Sequence, residues 1–320
     1  MRKFFLRLLA GAALVSLLSG SALAAEQLIP VGRVVGLELL SDTVTVAAFE
    51  ENSPAEAAGL KVGDRLVSID GQTVSSTQDV REALDRSQGT VQITVARGDQ
   101  VATLRAEPAI TREGPKLGAY LRQGVTGIGT VTYYNPETGA FAALGHGVND
   151  ASGQLLKLRG GSIYPARVAS VKKGEAGEPG QLMGALTDRE PLGTLEKNTL
   201  QGVFGTASVP FSGQPLPVAQ PEEVQCGPAT ILSTVCSDTP REYTVEILKL
   251  YPTPRQSGRN LLLRITDPQL LSTTNGIVQG MSGSPIIQDG KLVGAVTHVL
   301  VNSPDTGYGI FIENMLEAAS

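Results

Sequence analysis

The sequence predicts a mainly β protein of two domains, and three observations carry that expectation. The chain is rich in turn residues and poor in large aromatics, with 37 glycines, seven phenylalanines and no tryptophan, a balance that favours short strands over a helical bundle. Its second half reads as roughly ten short apolar runs broken by glycine turns, without a long helical pattern before the last residues; strands lacking intervening helices form an antiparallel sandwich or barrel. With 320 residues and 41% hydrophobic content, the chain can bury a large core in more than one domain. The formal charge of −5 supplies no basic footprint, which argues against nucleic acid as a partner.

Residues 1–24 read as an export signal or N-terminal anchor. "MRKFFLR" is basic, "LLAGAALVSLLSG" is apolar, and Ala22 and Ala24 are the small residues before a cut. The apolar run is shorter than the roughly 20 residues a spanning helix needs. Cleavage after Ala24 would remove Arg2, Lys3 and Arg7, taking the charge to −8; retention would leave the N-terminus to associate with a membrane. Either way the expectation is an exported chain. Export permits disulfides, yet the two cysteines, Cys226 and Cys236, flank "ATILSTV". Read as one strand, that segment puts the thiols ~33 Å apart, beyond bonding reach, so two free, partly buried thiols are expected. With two histidines in the chain and no close ligand pair, no metal and no cofactor is expected.

The first domain is placed at residues 30–108. In "SSTQDVREALDRSQG", Ser76 or Thr77 caps a helix that presents Val80, Ala83 and Leu84 on one face and stops at Gly89. "VGDRLVSIDGQTV" alternates around an Asp70-Gly71 turn. The stretch "NSPAEAAGLKVGDRLVSIDGQTV" resembles the centre of a bacterial PDZ domain, and "GRVVGLEL" is similar to that family's carboxylate loop and binding strand. The resemblance implies strand addition: a peptide ligand would pair with an edge at Val35, Gly36 and Leu37 and pack a terminal side chain against Val80 and Leu84. Residues 109–118, "AITREGPKLG", with Pro115 and Gly118, read as a linker.

Residues 119–320 form the second domain. "GIGTVTYYNPETGAFAALGHGVND" predicts a hairpin turning at Pro136 to Gly139 and delivering His146 into a glycine-flanked loop. "PIIQDGKLVGAVTHV" predicts another, turning at Asp289-Gly290. Serine is a poor nucleophile without a base, and that base is usually a histidine. In "GMSGSP" the glycines allow a tight turn, so that the amides of Gly280 and Ser282 can converge on a developing oxyanion. Followed by Ser-Pro, a strand, a turn and a strand, this arrangement resembles the C-terminal barrel of chymotrypsin-like serine proteases. It places Ser282 as nucleophile and implies a double β-barrel behind the PDZ domain.

The whole arrangement, from signal segment through PDZ to "ALGHGVND" and "GIVQGMSGSPIIQDGKLVGAVTHVLVNSPDTGYGIFIENML", resembles the SpoIVB peptidases of endospore-forming bacteria. That resemblance implies a catalytic triad of His146, Asp267 and Ser282, with the acid in "RITDPQLL"; Asp150, four residues after His146, is the rival. An acid there would hold the histidine tautomer and stabilise the imidazolium. Met281 stands where digestive enzymes carry an aspartate, which removes activation through an ion pair with a new N-terminus. By analogy with that fold, His298, Tyr308 and Gly309 would line the substrate pocket. The resemblance further implies self-processing and cleavage of a protein substrate, a membrane-bound regulator of an intramembrane metalloprotease. This would occur in the space between forespore and mother-cell membranes and release a late sigma factor. Two other readings remain at this stage: an inactive PDZ scaffold, and a Ser-Lys processing peptidase with Lys291 as base.

Overall fold

A computed structural model describes residues 26–150, 153–252 and 259–320; the predicted signal segment lies outside the described residues. The chain builds two six-stranded barrels and a PDZ domain, in an order the linear reading did not anticipate. Strand β1 (Gln27–Ser41) opens the N-terminal barrel. The PDZ elements follow: β2 (Val44–Phe49), α1 (Pro54–Ala57), β3 (Arg65–Ile69), β4 (Gln72–Thr73), α2 (Thr77–Arg86), β5 (Val91–Arg97), β6 (Gln100–Ala106), β7 (Ala109–Thr111), β8 (Gly114–Lys116) and β9 (Ala119–Arg122). The chain then returns through β10 (Val125–Tyr134), β11 (Ala140–Ala143), β12 (Leu158–Lys172), β13 (Gln181–Leu186), β14 (Gly193–Thr199), β15 (Gly202–Ala207) and β16 (Leu216–Pro217). The C-terminal barrel comprises β17 (Gly227–Ser233), β18 (Arg241–Leu250), β19 (Leu261–Ile265), α3 (Pro268–Thr274), β20 (Pro285–Gln288), β21 (Lys291–Leu300) and β22 (Ser303–Phe311), before α4 (Ile312–Ala319).

The first correction concerns Val35, Gly36 and Leu37. They lie in β1, which pairs with β10 on one side and with β12 on the other. A strand bonded on both edges has no free amides for a peptide, so these residues are not the PDZ binding edge. The β12 pairing closes the ring β1-β10-β11-β15-β14-β12. Alternation along β1 shows why it reads as apolar throughout: Val35 and Leu37 fill the interior of this barrel with Phe141, Ile163 and Val203, while Val34 joins the core of the other.

The PDZ domain is therefore nested between the first two strands of a barrel. Leu39 pairs with Val125, and everything between Ser41 and Gln123 leaves and re-enters at that point. Gln123 ties the crossing: its amide nitrogen donates to the carbonyls of Ser41 (3.1 Å) and Ser75 (3.3 Å), and its oxygen accepts from the Thr77 amide (3.1 Å). The PDZ sheet runs β6-β5-β3-β2-β9, so residues 109–118 are not a linker; they form the β7–β8 hairpin and lead into the sheet's edge strand, β9. The helix caps as expected, with Ser76 and Asp79 forming a reciprocal capping box, and Val80, Ala83 and Leu84 are buried. A buried Asp64, 1% exposed, is paired with Arg97 at 2.6 Å. The carboxyl sits below its usual range although burial alone would raise it, because hydrogen bonds from Arg97 and the Lys61 amide outweigh burial.

The second barrel closes as β17-β18-β19-β22-β21-β20 around Ile231, Tyr243, Ile247, Leu261 and Leu263. A third apolar cluster, including Leu28, Tyr133, Phe204, Leu292, Ile310 and Met315, seals the seam between the barrels and holds α4 against it. Both cysteines are free, Cys236 half-buried and Cys226 exposed rather than partly buried as expected.

Candidate active site

The seam between the barrels carries the site. On the N-terminal side, the β10–β11 hairpin ends in two consecutive left-handed residues, Leu144 (φ 72°) and Gly145 (φ 67°), which turn the chain and present His146. Its Nδ1 lies 2.9 Å from the Gly147 carbonyl oxygen. A ring nitrogen facing a carbonyl carries the proton, which leaves Nε2 as the acceptor a general base requires. Burial holds the imidazole below its ordinary range, partly opposed by the Gly147 bond.

On the C-terminal side, α3 ends at Asn275 in the left-handed region (φ 57°) and the chain enters the loop that carries Ser282. Gly283 (φ 95°) is required: a Cβ there would stand 2.1 Å from the Thr130 carbonyl oxygen and 2.5 Å from the Leu144 amide. The Ser282 loop thus presses directly against β10 and the turn that leads to His146. Thr130 stitches the two together, its amide donating to the Ser282 carbonyl (3.1 Å) and its hydroxyl to the Gly280 carbonyl (2.8 Å). The β12–β13 hairpin holds the loop's other flank, the Leu182 amide donating to Gln279 (2.8 Å) and the Gln279 amide to Gly180 (2.9 Å).

These clamps leave a specific pattern of amides. Those of Met281 and Gly283 are bonded, to Val278 (3.1 Å) and Val296 (2.7 Å). Those of Gly280 and Ser282 meet no acceptor among the described residues. Two unpaired donors one residue apart, on a loop whose carbonyls are tied down, suit an oxyanion site. The Ser282 hydroxyl donates to the Thr297 carbonyl (2.8 Å). Met281 is fully buried among the C-terminal barrel's apolar residues, where no ion pair can form.

His146, Gly280, Ser282 and His298 line one cleft of about 450 Å³, whose other walls are largely apolar, among them Leu37, Leu39, Val125, Ile128, Val299 and Val301. The His298 ring lies 5.2 Å from that of His146, tilted by 40°. Burial, the neighbouring His146 and Arg259 push its pKa down to about 4, so both rings are neutral at neutral pH.

The structure places the remaining candidates from the sequence as follows. Asp267 does not reach His146 or the cleft: it is the N-cap of α3, one carboxylate oxygen accepting from the amides of Gln269 and Leu270 (2.9 Å each) and the other facing the Thr244 amide (3.5 Å). An Asp-Pro at a helix start does this locally, and the cap outcompetes a distant imidazole for the carboxylate. The rival Asp150 accepts from the Gln154 amide (3.2 Å). Tyr308 and Gly309 do not line the cleft. They lie on β22 opposite His298 and Val296, and Arg259 sits over the Tyr308 ring at 5.2 Å. Lys291 pairs with Glu223 on the surface, so no Ser-Lys dyad forms. Among the described residues, no three His, Cys, Asp or Glu side chains cluster as metal ligands.

One residue escaped the sequence reading. Asn198, at the end of β14, accepts from the Val148 amide (2.9 Å) and donates to the carbonyls of Val148 (2.8 Å) and Leu156 (2.9 Å). It clamps the loop that carries His146. An asparagine in "EKNTL" offers no spacing signal that would have pointed to this contact.

Fold and site together define a double β-barrel with an inserted PDZ domain and a cleft that gathers a serine, two histidines and two unpaired amides. A family model described as SpoIVB peptidase S55 matches residues 113–316, and a PDZ model matches residues 45–97; the chain belongs to the SpoIVB peptidase family. Among curated proteins, a putative zinc metalloprotease of Agrobacterium fabrum is 40% identical over 93 residues, covering 29% of this chain and 24% of its own. The serine protease HTRA1 of Xenopus laevis is 42% identical over 57 residues, covering 18% and 12%. The chain thus spans at most about a quarter of the length of these relatives. Among solved structures, the PDZ domain of an SdrC-like protein from Listeria monocytogenes is 30% identical, covering 25% of this chain and 87% of its own, with a TM-score of 0.23. An inactive mutant of Rv3671c from M. tuberculosis is 13% identical, covering 60% and 81%, with a TM-score of 0.37.

Proposed function

We propose that this chain is an exported regulatory endopeptidase in which Ser282 is the nucleophile, His146 the general base, and the amides of Gly280 and Ser282 the oxyanion donors. The observation that carries the reading is the convergence, at the seam between the barrels, of Ser282, a neutral histidine with its Nδ1 occupied, and two unpaired amides. The Ser282 hydroxyl rotates from the Thr297 carbonyl toward Nε2 of His146, gives up its proton and attacks the scissile carbonyl. The oxygen of the tetrahedral intermediate takes the two free amides, and the imidazolium returns the proton to the leaving amine. Water then repeats the sequence to release the acyl group.

The substrate is a protein, in this reading a membrane-bound regulator whose cleavage sets off intramembrane proteolysis during sporulation, after self-processing of the enzyme. The PDZ domain binds a peptide by strand addition at β9, which ends the sheet; Val80 and Leu84, expected to meet the ligand, are instead buried in the domain's core. The β1 and β10 residues that line the cleft flank the point where the PDZ domain is inserted, which favours control of cleavage by what that domain binds. A fluorophosphonate probe tests the chemistry: it should label Ser282, and the label should vanish in His146→Ala. Labelling that survives in His146→Ala, or none in the wild type, overturns the assignment.

A further inference from the structure

We infer that Asn198 is the positioning residue for the general base, holding His146 through the backbone of Val148 rather than through the imidazole itself. This rests on the assignment of His146 above. The orienting group in a hydrolytic triad must fix the ring so that one nitrogen is an acceptor aimed at the nucleophile. In this chain the ring's Nδ1 is met by its own neighbour, Gly147. That contact is only as well defined as the segment 146–148, which leaves the barrel after Ala143 and runs into a bridge between Asn149 and Leu155. The Leu156 amide donates to the Val148 carbonyl (2.9 Å), but among the described residues no strand of the barrel pairs with the segment.

Asn198 supplies the definition. Its carboxamide bonds both backbone groups of Val148 and also the Leu156 carbonyl across the loop, at 2.8 to 2.9 Å. It stands on a strand paired with β15 and, earlier along its length, with β12. A planar group making three bonds from a strand of the barrel fixes both the position and the rotation of the adjoining peptide. The neighbouring Gly147 carbonyl is thereby aimed at Nδ1. Asparagine suits this position because the loop presents one donor and two acceptors; a carboxylate would oppose two carbonyl oxygens.

The experiment measures fluorophosphonate labelling of Ser282 in the full chain, with rates normalised to folded protein. Asn198→Ala should slow labelling about 100-fold, the scale of a small misplacement of a reacting group. Asn198→Asp, which retains volume and one of the three bonds, should also be slow and is the second variant if the alanine change prevents folding. The chain has only two histidines, so long-range nitrogen–proton NMR on Ser282→Ala protein reads the His146 tautomer directly. The Nδ1-protonated form should dominate, and adding Asn198→Ala should mix the tautomers. A residue that only stabilised the barrel would leave folded molecules labelling at the parent rate with the tautomer unchanged, and that result overturns the inference. Wild-type protein that fails to label overturns the peptidase mechanism instead.

Discussion

The two barrels contain the same number of strands but are assembled differently. The C-terminal barrel is one stretch of chain, Gly227 to Phe311, in which each hairpin closes onto its neighbour. The N-terminal barrel takes its first strand from residues 27–41 and its next from 125–134, with a whole PDZ domain between them. Ser282 belongs to the contiguous barrel and His146 to the interrupted one, so the proposed catalytic pair joins a self-contained unit to one whose completion depends on a distant strand.

The largest expected effect tests that dependence. Removing residues 42–122 and joining Ser41 to Gln123 through a short glycine-serine loop leaves β1 in place; the product should fold and label at Ser282. Removing residues 30–108, the domain as the linear pattern delimits it, deletes most of β1 and opens the barrel. That protein should show no cooperative unfolding and no labelling. Equal behaviour of the two deletions in thermal melts would refute the nested topology.

The same contrast explains what was legible in the sequence. Local devices were: the Asp70-Gly71 and Asp289-Gly290 turns both adopt the positive φ their hairpins need, Ser76 caps its helix, and the glycines around Ser282 mark a tight loop. The assignment of "GRVVGLEL" failed because a strand buried on both faces carries only an apolar pattern. That pattern is the same whether its partners are the PDZ strands that follow or barrel strands more than eighty residues away. That the Ser282 loop and His146 line one cleft could be anticipated because glycine placement and residue chemistry are local signals. Asn198 could not, since its role lies in backbone groups 42 and 50 residues distant.

An intermediate effect comes from the rings that face each other across the barrels. His298 titrates near 4 in the folded chain against an ordinary value of 6.5, so between those values the unfolded state binds more protons. Stability should therefore be full above about pH 6.5, fall as pH drops toward 4 and level off below it. Burial is the main cause, with smaller contributions from His146, on the interrupted barrel, and Arg259. Thermal melts across this range should show His298→Phe losing less stability than wild type on the acid side. Identical slopes would mean that the seam is not where the barrels lose their grip.

The smallest expected effect decides the most about mechanism. If Asp267 completed a triad, replacing it with asparagine would cost about 10⁴-fold in turnover by stabilising the wrong histidine tautomer. As the N-cap of α3, it belongs to the contiguous barrel's internal architecture, and asparagine and serine both cap helices well. Asp267→Asn and Asp267→Ser should then label at Ser282 within a few-fold of wild type. Asp267→Ala should lose about 1 kcal/mol of stability in denaturant melts and lose labelling only as α3 frays toward the nucleophile loop. The discriminating readout is the serine variant, which has no carboxylate to offer an imidazole but retains the oxygen that takes the amides of Gln269 and Leu270. Activity in that variant confines the aspartate to the barrel it sits in and leaves Gly147 and Asn198 to orient the base from the other. A loss as deep in serine and asparagine as in alanine would return Asp267 to the site.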